Sequence, residues 1–285
     1  MQRFNSSASP FFRLGVVGVL LPLALGCSVV PNGSESEAVG SEESAIVGGA
    51  NAVAGAWPWQ ARVTSTQLCG GSLLSPEWVL TANHCVVGQA ASAFTVVLGE
   101  HDLSLTDGNE QTFSVSTIVP HPDFGTSNQA PYNDFALLKL SSPAVINTRV
   151  RPIRLATGAD GSGQDALASG WGKTLMFDVP NILQQATLPI LSNSACSPND
   201  YRDLFSQELC AGFDGTPNIC SGDSGGPLSV ERFPGYRELV GVTSWKPAPS
   251  CFENGVFARV TSALNWINSV VFDVALLPAL TLPLR

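Results

Sequence analysis

The sequence predicts an antiparallel all-β fold, a barrel or a sandwich, and three observations predict it. From Ile46 onward the apolar residues come in short runs; Gly, Pro, Asn and Asp punctuate those runs; and only one late stretch has helical spacing. The runs Ala93 to Leu98, Phe113 to Val119, Phe135 to Leu140 and Glu238 to Thr243 are strand-length and too short for core helices. Between Thr261 and Val271, Leu264, Ile267 and Val271 recur on one helical face and Thr261 is available as an N-cap, so a single helix is expected there. No internal repeat is evident, although the length suits two barrels of similar size.

The segments around this body read differently. Arg3 and Arg13 precede an apolar run, Leu14 to Leu25, that ends at Gly26-Cys27; it is too short to span a bilayer and has the layout of a secretory signal, here residues 1–26. Ser28 to Ser44 is rich in Ser, Glu and Gly without periodic apolar residues, so it buries too little to repay its ordering entropy, and 27–45 is expected to be a propeptide or tether. Residues 46–271 form the folded domain. The apolar tail, Phe272 to Arg285, is broken by Pro278 and Pro283 and is too short for a membrane span.

Composition narrows the partners. At 285 residues and 44% hydrophobic, the chain can build a sizeable core. A net charge of −9 leaves nothing to neutralise a run of phosphates, so no nucleic acid is expected as a partner. Seven cysteines suit an exported protein, and the six from Cys69 onward can all pair once Cys27 is set aside, in fifteen ways by counting alone.

Three patterns far apart in the chain carry the chemistry: Thr81-Ala82-Asn83-His84-Cys85, Asn133-Asp134-Phe135-Ala136-Leu137-Leu138, and Gly222-Asp223-Ser224-Gly225-Gly226-Pro227. A serine hydroxyl is a weak nucleophile and needs a neutral imidazole to take its proton, with a carboxylate to hold the imidazole's tautomer. Singly, each residue has a plainer reading: a surface histidine, a solvated aspartate, a serine in a glycine turn. Their joint order outweighs those readings. Of the other histidines, neither His101 nor His121 is followed by a cysteine or sits at a comparable strand end.

Together the patterns resemble the chymotrypsin/trypsin family of serine endopeptidases, from Ile46 to about Val271. Asn83 departs from the alanine usual before the histidine. The resemblance implies a chymotrypsin-like fold of two antiparallel six-stranded β-barrels with a C-terminal helix. It implies hydrolysis of protein or peptide substrates through an acyl-enzyme, with His84, Asp134 and Ser224 as triad and the N–H groups of Gly222 and Ser224 as oxyanion hole. No redox or nucleotide cofactor is implied. The alternative is an inactive relative that only binds protein.

Further implications follow from the same resemblance. Ile46-Val47-Gly48-Gly49 resembles the N-terminus created when such precursors are cut, whose ammonium pairs with the aspartate beside the nucleophile, here Asp223. The bond cut is Ala45-Ile46; it lacks a preceding Arg or Lys, so the activating protease is expected to prefer small residues, and this enzyme itself is one candidate. The family's disulfides select Cys69–Cys85, Cys196–Cys210 and Cys220–Cys251. The acyl-side pocket draws on Asn218, Ile219, Ser244, Trp245, Lys246 and Gly255. Asn218 stands where trypsin has aspartate, which disfavours cleavage after Arg or Lys and favours small or medium apolar residues. Lys246 replaces a glycine and either narrows the pocket, attracts an acidic residue or points into solvent.

Glu100-His101-Asp102 through Glu110 resembles the family's calcium loop. Glu100 and Glu110 would supply carboxylates, with backbone oxygens from Asp102, Leu105 and Asp107, so a structural calcium is expected beside the plainer reading of an acidic solvated loop. Leu23 to Cys27 resembles a bacterial lipoprotein signal, although Ala24 stands where a larger aliphatic residue is usual. The protein is therefore expected to be secreted, either free or lipid-anchored at the cell envelope through Cys27, with a membrane as partner only in the second case.

Overall fold

The computed structural model of the chain describes residues 49–173, 178–196, 203–212, 218–246, 251 and 253–272. The expected leader, Cys27, the propeptide, Ile46 and the tail beyond Phe272 lie outside the described residues. The first half contributes β1 (Ala50–Asn51), β2 (Gln60–Thr64), β3 (Leu68–Ser75), β4 (Trp78–Thr81), β5 (Thr95–Leu98), β6 (Gln111–Pro120), β7 (Gly125–Ser127), β8 (Ala130–Tyr132) and β9 (Ala136–Leu140). The second contributes β10 (Arg154–Leu155), β11 (Asp165–Gly170), β12 (Gln184–Leu191), β13 (Glu208–Ala211), β14 (Pro227–Phe233), β15 (Tyr236–Trp245) and β16 (Gly255–Arg259), followed by α1 (Leu264–Val271).

Six strands close the first barrel in the order β2-β3-β4-β9-β6-β5, sealed by the antiparallel pairing of β2 with β5. In the second, β12, β11, β14, β15, β16 and β13 follow one another, and Ile190 opposite Ala211 closes the ring. Strand β1 adds to β12, and β10 lies parallel to β15. The strands show the period of two that a one-sided core requires. In β6, Phe113 and Val115 are buried between exposed Thr112, Ser114 and Ser116; in β12, Ala186, Leu188 and Ile190 face inward. The second interior is completed by Leu209, Leu228, Val230 and Phe257. Each such large side chain contributes roughly 1.5–3 kcal/mol by leaving water.

Hydrogen bonds tie the barrels where the site lies. Ser169 Oγ donates to Gln60 Oε1 at 2.7 Å, and the Gly70 N–H donates to the Ser224 carbonyl at 2.7 Å. The helix is shorter than the sequence suggests. Val260–Ser262 is a 3₁₀ turn, Ala263 is the N-cap with no side-chain bond, and Thr261 therefore does not cap. The chain leaves β16 through the turn in which the Ala263 N–H bonds to the Val260 carbonyl, and helical geometry starts after that turn rather than at it. Ile267 is fully buried on the helix face, with Leu264 and Val271 packed at its margin. Among the described residues no helix is long and apolar enough to cross a membrane.

Candidate active site

His84 is delivered by the end of β4. The strand stops at Thr81, and the 3₁₀ turn Asn83–Cys85 points the imidazole out of the first barrel while the Cys69–Cys85 disulfide pins the turn to β3. Asp134 sits two residues before β9, after Asn133 at a φ of 48°, and is 1% exposed. Its carboxylate accepts three bonds: from the His84 N–H at 2.9 Å, from His84 Nδ1 at 2.6 Å and from Ser244 Oγ at 2.6 Å. With Nδ1 donating to the carboxylate, Nε2 carries the free lone pair. Burial on its own would lower the imidazole pKa, but the hydrogen bond and charge of Asp134 outweigh it and the value is raised. For Asp134 burial would raise the pKa, and the His84 bond and charge, then Ser244, hold it below the usual range.

Ser224 lies on a loop that β14 continues. Gly222 has a φ of 106° and Gly225 one of 80°, and a Cβ on Gly225 would fall 2.2 Å from Thr81 Oγ1, so a side chain is excluded at the point where the loop touches the first barrel. The Asp223 N–H bonds to the Cys220 carbonyl, and the Gly225 N–H to that of Thr243. Among the described residues neither the Gly222 N–H nor the Ser224 N–H donates to a protein acceptor. Both residues line a cleft of about 400 Å³ together with His84. His101 and His121 are not in it: His121 packs edge-on to Trp266 at 4.8 Å, and His101 Nδ1 is buried without a hydrogen bond.

Asp223, 1% exposed, points away from the cleft. Its carboxylate accepts the backbone N–H groups of Cys220 and Gly172, each at 2.8 Å. Burial pushes its pKa up to about 6 against the pull of those two bonds and of the Lys246 charge. The cavity that holds it is carved by glycines: a Cβ on Gly170 or Gly172 would meet a carboxylate oxygen at 2.2 or 2.3 Å.

Beside this loop the described residues Asn218, Ile219 and Gly255 are buried. Asn218 is fully buried, and both ends of its amide are engaged, Oδ1 by the Ile219 N–H at 2.9 Å and Nδ2 by the Glu253 carbonyl. Ile219 lies against Gly255, where a Cβ would come within 2.8 Å of its Cδ1. Lys246 is partly buried, and its Nζ lies 3.0 Å from Cys251 Sγ in the Cys220–Cys251 disulfide. Burial lowers its pKa against the attraction of Asp223 and Glu253. The third disulfide joins Cys196 to Cys210, so all three pairings implied by the resemblance are present.

Two roles escaped sequence reasoning. Ser244 is a hydrogen-bond donor to Asp134 as well as part of the pocket strand. Glu208, 2% exposed, accepts the Trp245 indole N–H at 3.0 Å and the Phe205 N–H at 2.7 Å, fastening that strand from behind. A lone glutamate inside Gln207-Glu208-Leu209 carries no signal of such burial.

In the acidic loop, Glu100 meets Arg62 at 3.4 Å. Burial raises its pKa, Arg62 lowers it, and the charges of Glu110 and Asp107 raise it further. Asp102 and Asp107 spend their carboxylates on Ser104 and Asn109, and Glu110 accepts the N–H groups of Asp107 and Gly108. Leu105 is exposed, and its N–H bonds to the Asp102 carbonyl. Among the described residues no three His, Cys, Asp or Glu side chains converge on a point.

Comparison with known proteins agrees with this geometry. The family model described as Trypsin matches residues 46–267. The chain is 35% identical to "Trypsin" of Sus scrofa over 81% of its own length and 97% of that protein's. It is 38% identical to "Trypsin-2" of Salmo salar, covering 82% and 98%, and 36% identical to "Serine protease 1" of Homo sapiens, covering 81% and 91%. The chain belongs to the trypsin family and is a serine endopeptidase.

Proposed function

We propose that Ser224, His84 and Asp134 form the catalytic triad of this endopeptidase. The observation that carries the reading is the Asp134 carboxylate, buried and bonded at 2.6 Å to the Nδ1 of a histidine that shares a cleft with Ser224. Ser224 Oγ attacks the substrate carbonyl carbon as His84 Nε2 takes its proton. The N–H groups of Gly222 and Ser224 stabilise the oxyanion, each worth roughly 3–4 kcal/mol in the transition state. His84 then gives the proton to the departing amine as the carbon–nitrogen bond breaks, and water repeats the sequence to free the acid.

Activation is assigned to cleavage at Ala45-Ile46. The new ammonium of Ile46 supplies Asp223 with the cation its buried carboxylate lacks, and the pairing orders the loop carrying Gly222 and Ser224. The activating protease prefers small residues. On the acyl side, the engaged Asn218 and the Ile219–Gly255 contact favour a small or medium apolar residue before the scissile bond. Glu100 and Glu110, with backbone oxygens of Asp102, Leu105 and Asp107, suit a calcium ion, which would relieve the like charges gathered there; with two carboxylates its binding is expected to be modest. Residues 1–26 direct export. If Cys27 is acylated, cleavage at Ala45-Ile46 releases the enzyme from the envelope.

The test is mass spectrometry of protein treated with a fluorophosphonate probe, comparing the natural chain with Ser224→Ala and reading the N-terminus in the same experiment. Labelling at Ser224 on chains beginning at Ile46 supports both assignments. An unlabelled chain beginning at Ile46 refutes the triad, and labelling of the uncut chain at full rate refutes the switch.

A further inference from the structure

The cleft that holds His84 and Ser224 does not include Asn218, Ile219 or Gly255 in its lining; beside the site residues it is lined by Gln67, Leu68, Cys69, Lys173, Val179 and Ser221. Attack at a carbonyl leaves the acyl half of the substrate attached to Ser224, while the amine half departs with a proton from His84. The walls on the His84 side, next to the Cys69–Cys85 disulfide, therefore face the residues that follow the scissile bond. Leu68 is partly buried and Val179 is 50% exposed, which makes two of these walls apolar.

Lys173 is the charged member. Its backbone N–H bonds to the Ser221 carbonyl at 2.8 Å, which fixes its Cα against the nucleophile loop while the side chain stays exposed. Among the described residues its ammonium makes no salt bridge, whereas Arg62, Arg232, Arg237 and Arg259 are each paired with a carboxylate. No aspartate or glutamate lines the cleft. In a chain of net charge −9, this cation is a local feature of the site rather than a sample of a basic surface.

We propose that Lys173 is a specificity-determining residue that selects substrates carrying a carboxylate side chain within two residues after the scissile bond. The proposal rests on the proteolytic reading above. An extended chain advances roughly 3.4 Å per residue, so the first two residues past the bond cross the span that a lysine side chain sweeps. The ammonium stays in water, so the selection is modest and weakened by salt.

The experiment uses enzyme activated at Ile46 and three internally quenched peptides with a common acyl half and Glu, Gln or Lys at the second position after the bond. A nitroanilide of the same acyl half, which has no residues beyond the bond, is the fourth substrate. The expected order of kcat/KM is Glu, Gln, Lys, with about threefold or more between the extremes. The ratio collapses towards one in Lys173→Ala, inverts in Lys173→Glu, and shrinks at high salt. Equal turnover of the three peptides, or a Glu preference that Lys173→Glu leaves unmoved, overturns the proposal while turnover of the nitroanilide keeps the proteolytic reading standing. Failure to turn over any of the four substrates by a chain beginning at Ile46 overturns both.

Discussion

Asp134 and Asp223 are each 1% exposed, yet the first titrates below the usual carboxylate range and the second at about 6. Burial pushes both upward, so burial does not separate them. The difference is in their partners. Asp134 has an imidazole, a backbone N–H and a hydroxyl, while Asp223 has two backbone N–H groups and only the more distant influence of Lys246. One carboxylate is complete within the fold of the first barrel and its neighbour; the other is held in a cavity whose charge is unmet. On the proposed reading, catalytic machinery and its control use the same residue type under the same burial, distinguished by what donates to it.

The largest test of this contrast is Asp134→Asn. An amide in that place offers its own N–H to Nδ1 and stabilises the wrong tautomer, so kcat is expected to fall about 10⁴-fold, as in enzymes with this triad. In the natural chain the raised pKa of His84 puts the acid limb of kcat/KM above pH 6.5, since the base must be neutral.

Stability against pH separates the two aspartates by sign. Asp223, raised from 3.8 to about 6, keeps in the folded chain a proton that the unfolded chain gives up. The chain with Ala45-Ile46 intact should therefore lose a few kcal/mol of stability as pH rises from about 4 to 6. Asp134, lowered, contributes stability that is present at neutral pH and is lost on acidification below its unfolded value. Denaturant titrations of the uncut chain and of Asp223→Asn should show the rising-pH loss in the first and not in the second, and cutting at Ile46 should remove it. An identical pH profile for all three would break the comparison.

Ser244→Ala sharpens it further by taking one donor from Asp134. Loss of a hydrogen bond to a buried carboxylate of about 1.5 kcal/mol corresponds to a fall in kcat/KM of about tenfold, and the acid limb should move upward as the carboxylate becomes more basic. Smallest is the effect at Glu100, a less buried carboxyl whose Arg62 partner at 3.4 Å does not offset burial and the like charges of Glu110 and Asp107. Adding calcium should raise the unfolding temperature by a few degrees, and Glu110→Gln should abolish the rise.

The sequence made the proposed triad stand out because His84, Asp134 and Ser224 sit in local patterns whose neighbours are fixed by backbone need: glycines at positive φ around Ser224, and a cysteine that staples the turn after His84. Barrel strands were legible as short apolar runs punctuated by Gly, Pro, Asn and Asp. The cap assigned to Thr261 was not correct, because a side-chain pattern does not distinguish a 3₁₀ entry from a helix start. Glu208 and the second role of Ser244 were invisible for a different reason. Their partners, Trp245, Phe205 and Asp134, come from other strands or loops, and only the closed barrels and their apposition bring those groups together.

The bond from the Gly70 N–H to the Ser224 carbonyl has a consequence for synthesis. The ribosome makes the histidine-bearing half long before the nucleophile emerges, and domains of such chains fold in the order in which they appear. The early half meets its surroundings with an imidazole held by Asp134 but with nothing to activate. On the proposed triad, Ser224 reaches His84 only when the last strands are complete and the late half has docked on the waiting strand of the early one, so a chain released before Ser224 is made is expected to lack hydrolytic capacity.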